Sequence, residues 1–462
     1  MKEGKLEQWS ADDGFLITDK RVVFGSLWLG TEQIVRLLLG MAVTVALARS
    51  FGVELFGLWS AALGYLAILN ALSSGGVREV LVNRLALAGD ENVLLSASAT
   101  LLAIFGCSSF GLVIALYWSV GGSNAGQLAL LTLLLSMSIL FKPFEVFEYW
   151  FESQAIQKPL VISRMLSLAI YVVGVAILIF FDANITSIAC LFVFERACKA
   201  FFLSAAFVHA YPDQLSFKFK PSILAHLIGQ TWPLAISALA VVGYLKVDVL
   251  MLQSLSGSEV AGFYAAATRL SEAVYVFPAI LMQVLAPQLA QLHKINPRRF
   301  QLRLQLAYDV VIVGGLLVAV LFTTFNTLLI DQIFGAGFSA SANILAIHAW
   351  SAVFMFMGFV NSRWHVIAGM QTFTLTRTVF GLLLNVCLNL ILIPSFGASG
   401  AACATVVSYA FTAMGLDIVN PCLRPILLMK LNSFLVPFAL ARLLRPLRAA
   451  LYLRLNERRS RG

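Results

Sequence analysis

The sequence predicts an all-α polytopic membrane protein of about twelve transmembrane helices, arranged as two parallel-repeat six-helix bundles around a central cavity. Three observations predict it. Of the 462 residues, 60% are hydrophobic and 12% charged, with a mean hydropathy of +0.88, whereas a soluble domain carries roughly 25% charge. Lys and Arg concentrate on one side of the apolar segments. A short motif recurs after an offset of 205 residues.

A spanning helix needs about 20 mostly apolar residues to cross about 30 Å of hydrocarbon. Stretches of that length cover 22–47, 57–77, 92–118, 126–147, 159–181 and 185–209 in the first half. The second half has 223–255, 261–289, 305–330, 342–359, 373–394 and 400–419. The resulting organisation is an N-terminal segment 1–21, an N-lobe 22–210, a linker 211–222, a C-lobe 223–420 and a basic tail 421–462. An even number of spans places both termini on one side. That side holds 25 of the 32 basic residues, and the opposite loops hold only Arg49. Basic flanks resist translocation, so the termini are expected in the cytoplasm, and the net charge of +9 is a topology signal. No nucleic-acid partner is expected, because aromatic residues are not interleaved with the basic ones as a base-stacking platform requires.

The first twenty residues mix Lys, Glu and Asp without an apolar core, so no signal peptide is expected. The six cysteines lie in or beside spans without metal-ligand spacing and read as small packing residues. The five histidines are scattered, and His348 in the tenth span reads as a packed interior residue. Neither a metal nor a cofactor is expected.

The recurring motif is Glu54-Leu-Phe-Gly57-Leu-Trp59-Ser-Ala61-Ala62 and Glu259-Val-Ala-Gly262-Phe-Tyr264-Ala-Ala266-Ala267. Both copies leave a loop opposite the termini and enter the next span. Parallel repeats of this kind are related by an axis along the membrane normal, with the substrate path between the halves.

Six basic residues fall inside spans: Arg36, Arg164, Arg196, Lys199, Lys246 and Arg269. Each costs about 2.5 to 3.5 kcal/mol at mid-bilayer, so each must face water, protein or an anion. Helical spacing offers the partners Glu32 with Arg36, Glu195 with Lys199, and Arg269 with Glu272. Lys246 and Asp248 are two apart and point to different sides of their helix, so each needs a partner elsewhere. Arg36, Lys246 and Arg269 lie in spans that a two-bundle transporter brings to its cavity, and a cationic cavity suits an anionic cargo. In the stretch Lys142-Pro143-Phe144-Glu145-Val-Phe-Glu148-Tyr-Trp-Phe-Glu152 three carboxylates share one face at the cytoplasmic end of the fourth span. They suit a solvated cavity mouth or a gate. No nucleophile elbow, metal-binding His pair or phosphate-cradling Gly loop accompanies them. The tail after Pro421 alternates apolar and basic residues, as an amphipathic segment on an anionic leaflet does.

The stretch Ala48-Arg49-Ser-Phe-Gly52-Val-Glu54-Leu-Phe-Gly57-Leu-Trp59 resembles the first periplasmic loop of the polysaccharide flippase family, within the multidrug/oligosaccharidyl-lipid/polysaccharide exporter superfamily. So do Lys246-Val-Asp248, Gly262-Phe-Tyr264 through Arg269-Leu-Ser-Glu272, and Asn385 through Asn389, Pro394, Gly397 and Gly400 to Thr405. The resemblance implies a flippase for polyprenyl-pyrophosphate-linked oligosaccharides such as O-antigen, exopolysaccharide or capsule repeat units. It implies alternating access driven by an ion gradient in a bacterial cytoplasmic membrane, and glycan polymerase or export proteins as partners beside membrane lipid. On that reading Arg36, Lys246, Arg269, Arg164, Arg196 and Lys199 bind substrate, and Glu32, Asp248, Glu272, Glu145 and Glu148 are the coupling or gating candidates. Asp248 stands where many relatives carry other polar residues, which leaves the coupling role unassigned. A multidrug antiporter and a peptidoglycan-precursor flippase share the superfamily fold, although a basic interior argues against cationic drugs. A membrane-bound glycan polymerase needs a large extracytoplasmic loop, and the longest here, about 331–341, is short.

Overall fold

The computed structural model describes residues 20–85, 91–119, 121–122, 126–211, 220–420 and 423–444. Most of the N-terminal segment, linker residues 212–219 and the tail beyond 444 lie outside the described residues. Among the described residues the chain is helical and has no strand.

In chain order, α1 (Lys20–Ser74), α2 (Val77–Leu85), α3 (Glu91–Ser119) and α4 (Gln127–Ser136) begin the N-lobe. A 3-10 segment (Met137–Phe144) containing Pro143 joins α4 to α5 (Glu145–Ser153), and α6 (Gln157–Phe180) and α7 (Ile185–Ala210) complete the lobe. The C-lobe has α8 (Pro221–Leu255), α9 (Ser258–Ala273), α10 (Val276–Ile295), α11 (Pro297–Thr324) and α12 (Asn326–Ile333). It continues through α13 (Ser341–His348), α14 (Ser351–Ile367), α15 (Gln371–Ala410), a π turn, α16 (Leu416–Val419), α17 (Arg424–Phe434) and α18 (Val436–Leu444).

Eight uninterrupted stretches are long and apolar enough to cross a membrane, and two further bent pairs qualify together. Two of the eight hold two spans each. The 45-residue stretch Gly30–Ser74 would be roughly 68 Å long as one helix, twice the hydrocarbon thickness. It breaks at Gly52, whose φ of 74° a side chain would disfavour. Thr44 and Ser60, on either side of the break, line one cavity, so the two halves fold back on each other. Thr372–Val419 breaks likewise at Gly397, and Asn389 and Thr405 from its two halves bond the same carboxylate. Helix α7 has the length of a span but carries Glu195, Arg196 and Lys199. Counted with the bent pair α13–α14 these make twelve, and the second bent pair, α17–α18, lies beyond them in the tail.

Three details differ from the sequence reading. The tenth span bends by 41° between α13 and α14, where buried His348 bonds Ser271 Oγ through Nδ1 at 2.7 Å. The outer loop at 331–341 is partly ordered: α12 covers its start, and Phe334 and Phe338 are buried. Cys107, Cys190, Cys387 and Cys403 are exposed on the outside of the bundle instead of packed within it, a soft apolar surface that lipid accepts.

The buried cores define the lobes. One core gathers Val43, Trp59, Leu135 and Ile188 within the N-lobe, and another gathers Leu304, Tyr308, Val353 and Phe356 within the C-lobe. A third core crosses between lobes, joining Ala48, Phe56 and Ala61 to Ala261, Ala265, Phe334, Phe338 and Ala401. Its many alanines let helices approach closely where lipid supplies no hydrophobic drive.

The described part of the tail, residues 423–444, packs against the C-lobe. Helices α17 and α18 meet at 93°, with Lys430 buried against Asp417 and the Ala413 carbonyl. Arg442 makes a two-pronged bond to buried Asp309, at 2.7 and 2.6 Å. Leu428, Leu431, Leu435 and Phe438 point outward. Leu423, Ile426 and Ala439 are buried, Arg424 and Asn432 are exposed, and the basic residues from Arg445 onward lie outside the described residues.

Candidate functional site

A cavity of about 460 Å³ lies where spans of the N-lobe face α9 of the C-lobe. Arg36 of α1, Arg196 of α7 and Arg269 of α9 line it. Each is exposed. The Arg36 side chain is 46% accessible and rests 3.1 Å from buried Glu32, one turn away, as spacing predicts. Arg196 is 43% accessible, 3.2 Å from Glu195, with its guanidinium 5.0 Å above the Phe192 ring. Arg269 has no ion-pair or hydrogen-bond partner among the described residues. Glu272 is the carboxylate of the lining, and Lys246 already holds it at 3.3 Å. The cavity therefore presents positive charge to whatever occupies it.

Two of the three local pairs read from spacing are replaced by contacts between helices. Arg269 does not pair with Glu272, because Lys246 reaches that carboxylate from α8. Lys199 does not pair with Glu195 but reaches Glu148 at 2.7 Å. Packing brings a partner from another helix closer than the neighbour on the same one. Arg164, also expected in the cavity, bonds Glu148 at 2.5 Å and Glu152 at 3.2 Å. Arg164 and Lys199 are absent from the cavity lining, and with Glu148 they tie α5, α6 and α7 together. Glu145, the other gating candidate here, sits 3.4 Å from Lys142 and accepts a bond from Tyr149 at 2.7 Å.

Asp248 occupies a different environment in the C-lobe. It is 4% exposed and accepts bonds from Tyr264 Oη at 2.8 Å, Thr405 Oγ1 at 2.6 Å and Asn389 Nδ2 at 2.6 Å. No cationic side chain among the described residues pairs with it. Asn389 also donates to Asn385 Oδ1 at 3.0 Å, while Asn385 Nδ2 and Asn389 Oδ1 are buried without partners. The carboxylate is thus held by neutral donors only, among the described residues. The sequence reading separated Asp248 from Lys246 but gave Tyr264, Asn385, Asn389 and Thr405 no role. The available signal was two asparagines one turn apart in an apolar span.

The cavity is capped at the end where Gly52, Gly257 and Gly397 break the helices. There the two copies of the duplicated motif meet. A Cβ on Gly57 would overlap the Ser258 carbonyl oxygen, and one on Gly262 would overlap the Val53 carbonyl oxygen. Val53 and Ser258, like Gly57 and Gly262, are related by the 205-residue offset, so the contact is reciprocal, as a two-fold axis requires. Phe56 adds ring contacts to Phe334 and Phe338 at 6.4 and 5.8 Å. Arg49 donates to the carbonyls of Gln332 and Ile333 at 2.5 and 2.9 Å, placing a cation at the C-terminus of α12, where it complements the helix dipole. Its place outside the positively charged side thus has a structural reason.

The fold is shared with known transporters. One similar structure, described as "Lipid II flippase MurJ, inward closed conformation", has a TM-score of 0.69 at 16% identity, covering 95% of this chain and 99% of that one. An inward-facing multidrug resistance MATE family transporter of the MOP superfamily gives 0.67 at 13% identity, covering 90% and 98%. A MOP superfamily transporter from Pyrococcus furiosus gives 0.59 at 13% identity, covering 91% and 99%. No curated protein sequence matches the chain. The family model described as "Polysaccharide biosynthesis protein" matches residues 22–293, more than half of the sequence. This multi-pass membrane protein belongs to the polysaccharide biosynthesis protein family.

Proposed function

We propose that the protein flips a polyprenyl-diphosphate-linked oligosaccharide repeat unit across a bacterial cytoplasmic membrane by alternating access. The observation that carries this reading is the charge of the cavity: Arg36 and Arg196 from one lobe and Arg269 from the other surround a space whose carboxylate is already engaged. Guanidinium forks match phosphate oxygens in two-pronged, charge-assisted bonds. A diphosphate shared between lobes binds differently when the lobes rock apart, and only such a difference shifts the balance of conformations. Family membership supports a glycan cargo, and the lopsided Lys/Arg distribution supports cytoplasmic termini, which puts the glycine-capped end on the extracytoplasmic side.

Asp248 is the coupling carboxylate on this reading. Binding a proton or monovalent cation would alter its bonds to α9 and to both halves of α15. The same cavity chemistry also suits a peptidoglycan precursor, itself a polyprenyl diphosphate, and the headgroup decides between the two. The test is transport by the purified protein in vesicles, with a labelled polyprenyl diphosphate oligosaccharide on one leaflet. Protein-dependent appearance of the label on the other leaflet is expected. A rate equal to that of protein-free vesicles overturns the reading.

A further inference from the structure

The arginines enter their helices deeper than the aromatic residues, and Arg196 bridges the two zones, its guanidinium 5.0 Å above the Phe192 ring. A helical rise of 1.5 Å per residue puts Arg36 roughly 24 Å from the break at Gly52, and Arg196 and Arg269 roughly 17 Å from the starts of α7 and α9. Toward the glycine cap the wall is mainly aromatic. By the same rise Trp59, Phe192 and Tyr171 lie roughly 10 to 15 Å from the cap ends of their helices. Phe192 stands edge to face with Trp59, at 6.5 Å, and with Tyr171, at 6.0 Å. Trp59 is buried behind, whereas Phe192 and Tyr171 are partly exposed, and all three line the cavity. The hydroxyls of Thr44 and Ser60 lie at about the same depth.

An aromatic wall fringed by hydroxyls is poorly matched to phosphate and well matched to a pyranose, whose ring offers an apolar C–H face and an equatorial rim of hydroxyl groups. A ring edge or face packs against such a surface at little entropic cost, because a Phe or Tyr side chain has few torsions to fix. The volume of about 460 Å³ lies toward the lower part of the roughly 300–1,000 Å³ range of small-molecule sites. It has room for a few sugars.

We infer that Trp59, Phe192 and Tyr171 form the glycan subsite, so that the sugars bind toward the glycine cap, the diphosphate sits among the arginines and the lipid trails behind. This rests on the proposed function and adds an orientation to it: sugar first.

The experiment measures binding of two probes to purified full-length protein in nanodiscs, a bare polyprenyl diphosphate and the same lipid bearing a neutral hexose oligosaccharide. Tyr171→Leu should lower affinity for the glycosylated probe by about tenfold, the scale of one lost aromatic contact, and leave the bare probe unchanged. Tyr171→Phe, which keeps the ring, should bind both as the parent does. Equal loss for both probes with Tyr171→Leu shows a merely structural effect and overturns the subsite. Unchanged glycan binding with Tyr171→Leu, or loss of glycan binding with Tyr171→Phe, also overturns it while the proposed function stands. Failure of the parent protein to bind either probe overturns the function reading and the subsite with it.

Discussion

Substitution of Gly57 by alanine tests the cap directly. In the capped arrangement the added Cβ overlaps the Ser258 carbonyl oxygen and lies 2.9 Å from the Gly262 nitrogen. Both obstructions are backbone atoms of a neighbouring helix and cannot rotate away. Overpacking of this kind costs about 1 to 3 kcal/mol. If the capped state alone carries that cost, the ratio of uncapped to capped protein rises by roughly 5- to 150-fold. The assay uses a Thr44→Cys reporter in a background freed of the native cysteines, four of which are exposed and would react. A membrane-impermeant maleimide added on the extracytoplasmic side should label the Gly57→Ala reporter at least fivefold faster than the Gly57 reporter. An unchanged or slower rate in folded protein refutes the argument that this glycine contact closes the cavity.

Arg49→Gln removes the cation that holds α12, and should speed labelling of the same reporter by a smaller factor, because the exposed guanidinium competes with water for its carbonyl partners. Asp248→Asn should leave downhill flipping measurable and abolish its stimulation by an imposed proton or sodium gradient; retained stimulation in vesicles would remove Asp248 from coupling. Glu148→Gln leaves Arg164 and Lys199 without their shared buried carboxylate. A loss of about 3 to 5 kcal/mol is expected, read as a large drop in thermal stability, with diphosphate affinity unchanged in the protein that remains folded.

The spans were legible because hydrocarbon demands long apolar runs, and the two-lobed plan because the motif at Glu54 recurs at Glu259. The separation of Lys246 from Asp248 was legible too, since two residues of helix turn them apart. Their partners were not: Glu272 reaches Lys246, and Tyr264, Asn389 and Thr405 reach Asp248, through packing between helices that spacing along one helix does not encode. The same limit misassigned Lys199 to Glu195. The aromatic wall draws Trp59, Tyr171 and Phe192 from three spans, so no periodic signal marks it.

The central claim is that unpaired positive charge in the cavity binds a diphosphate, and its most direct measurement is a binding titration with bare polyprenyl diphosphate. Arg269→Gln removes the guanidinium that no described residue engages, and should weaken binding by at least tenfold, about the 1.4 kcal/mol at the low end of a charge-assisted hydrogen bond. Arg36→Gln should weaken it less, because Glu32 already offsets part of that charge. Affinity unchanged by Arg269→Gln in stably folded protein would contradict the account.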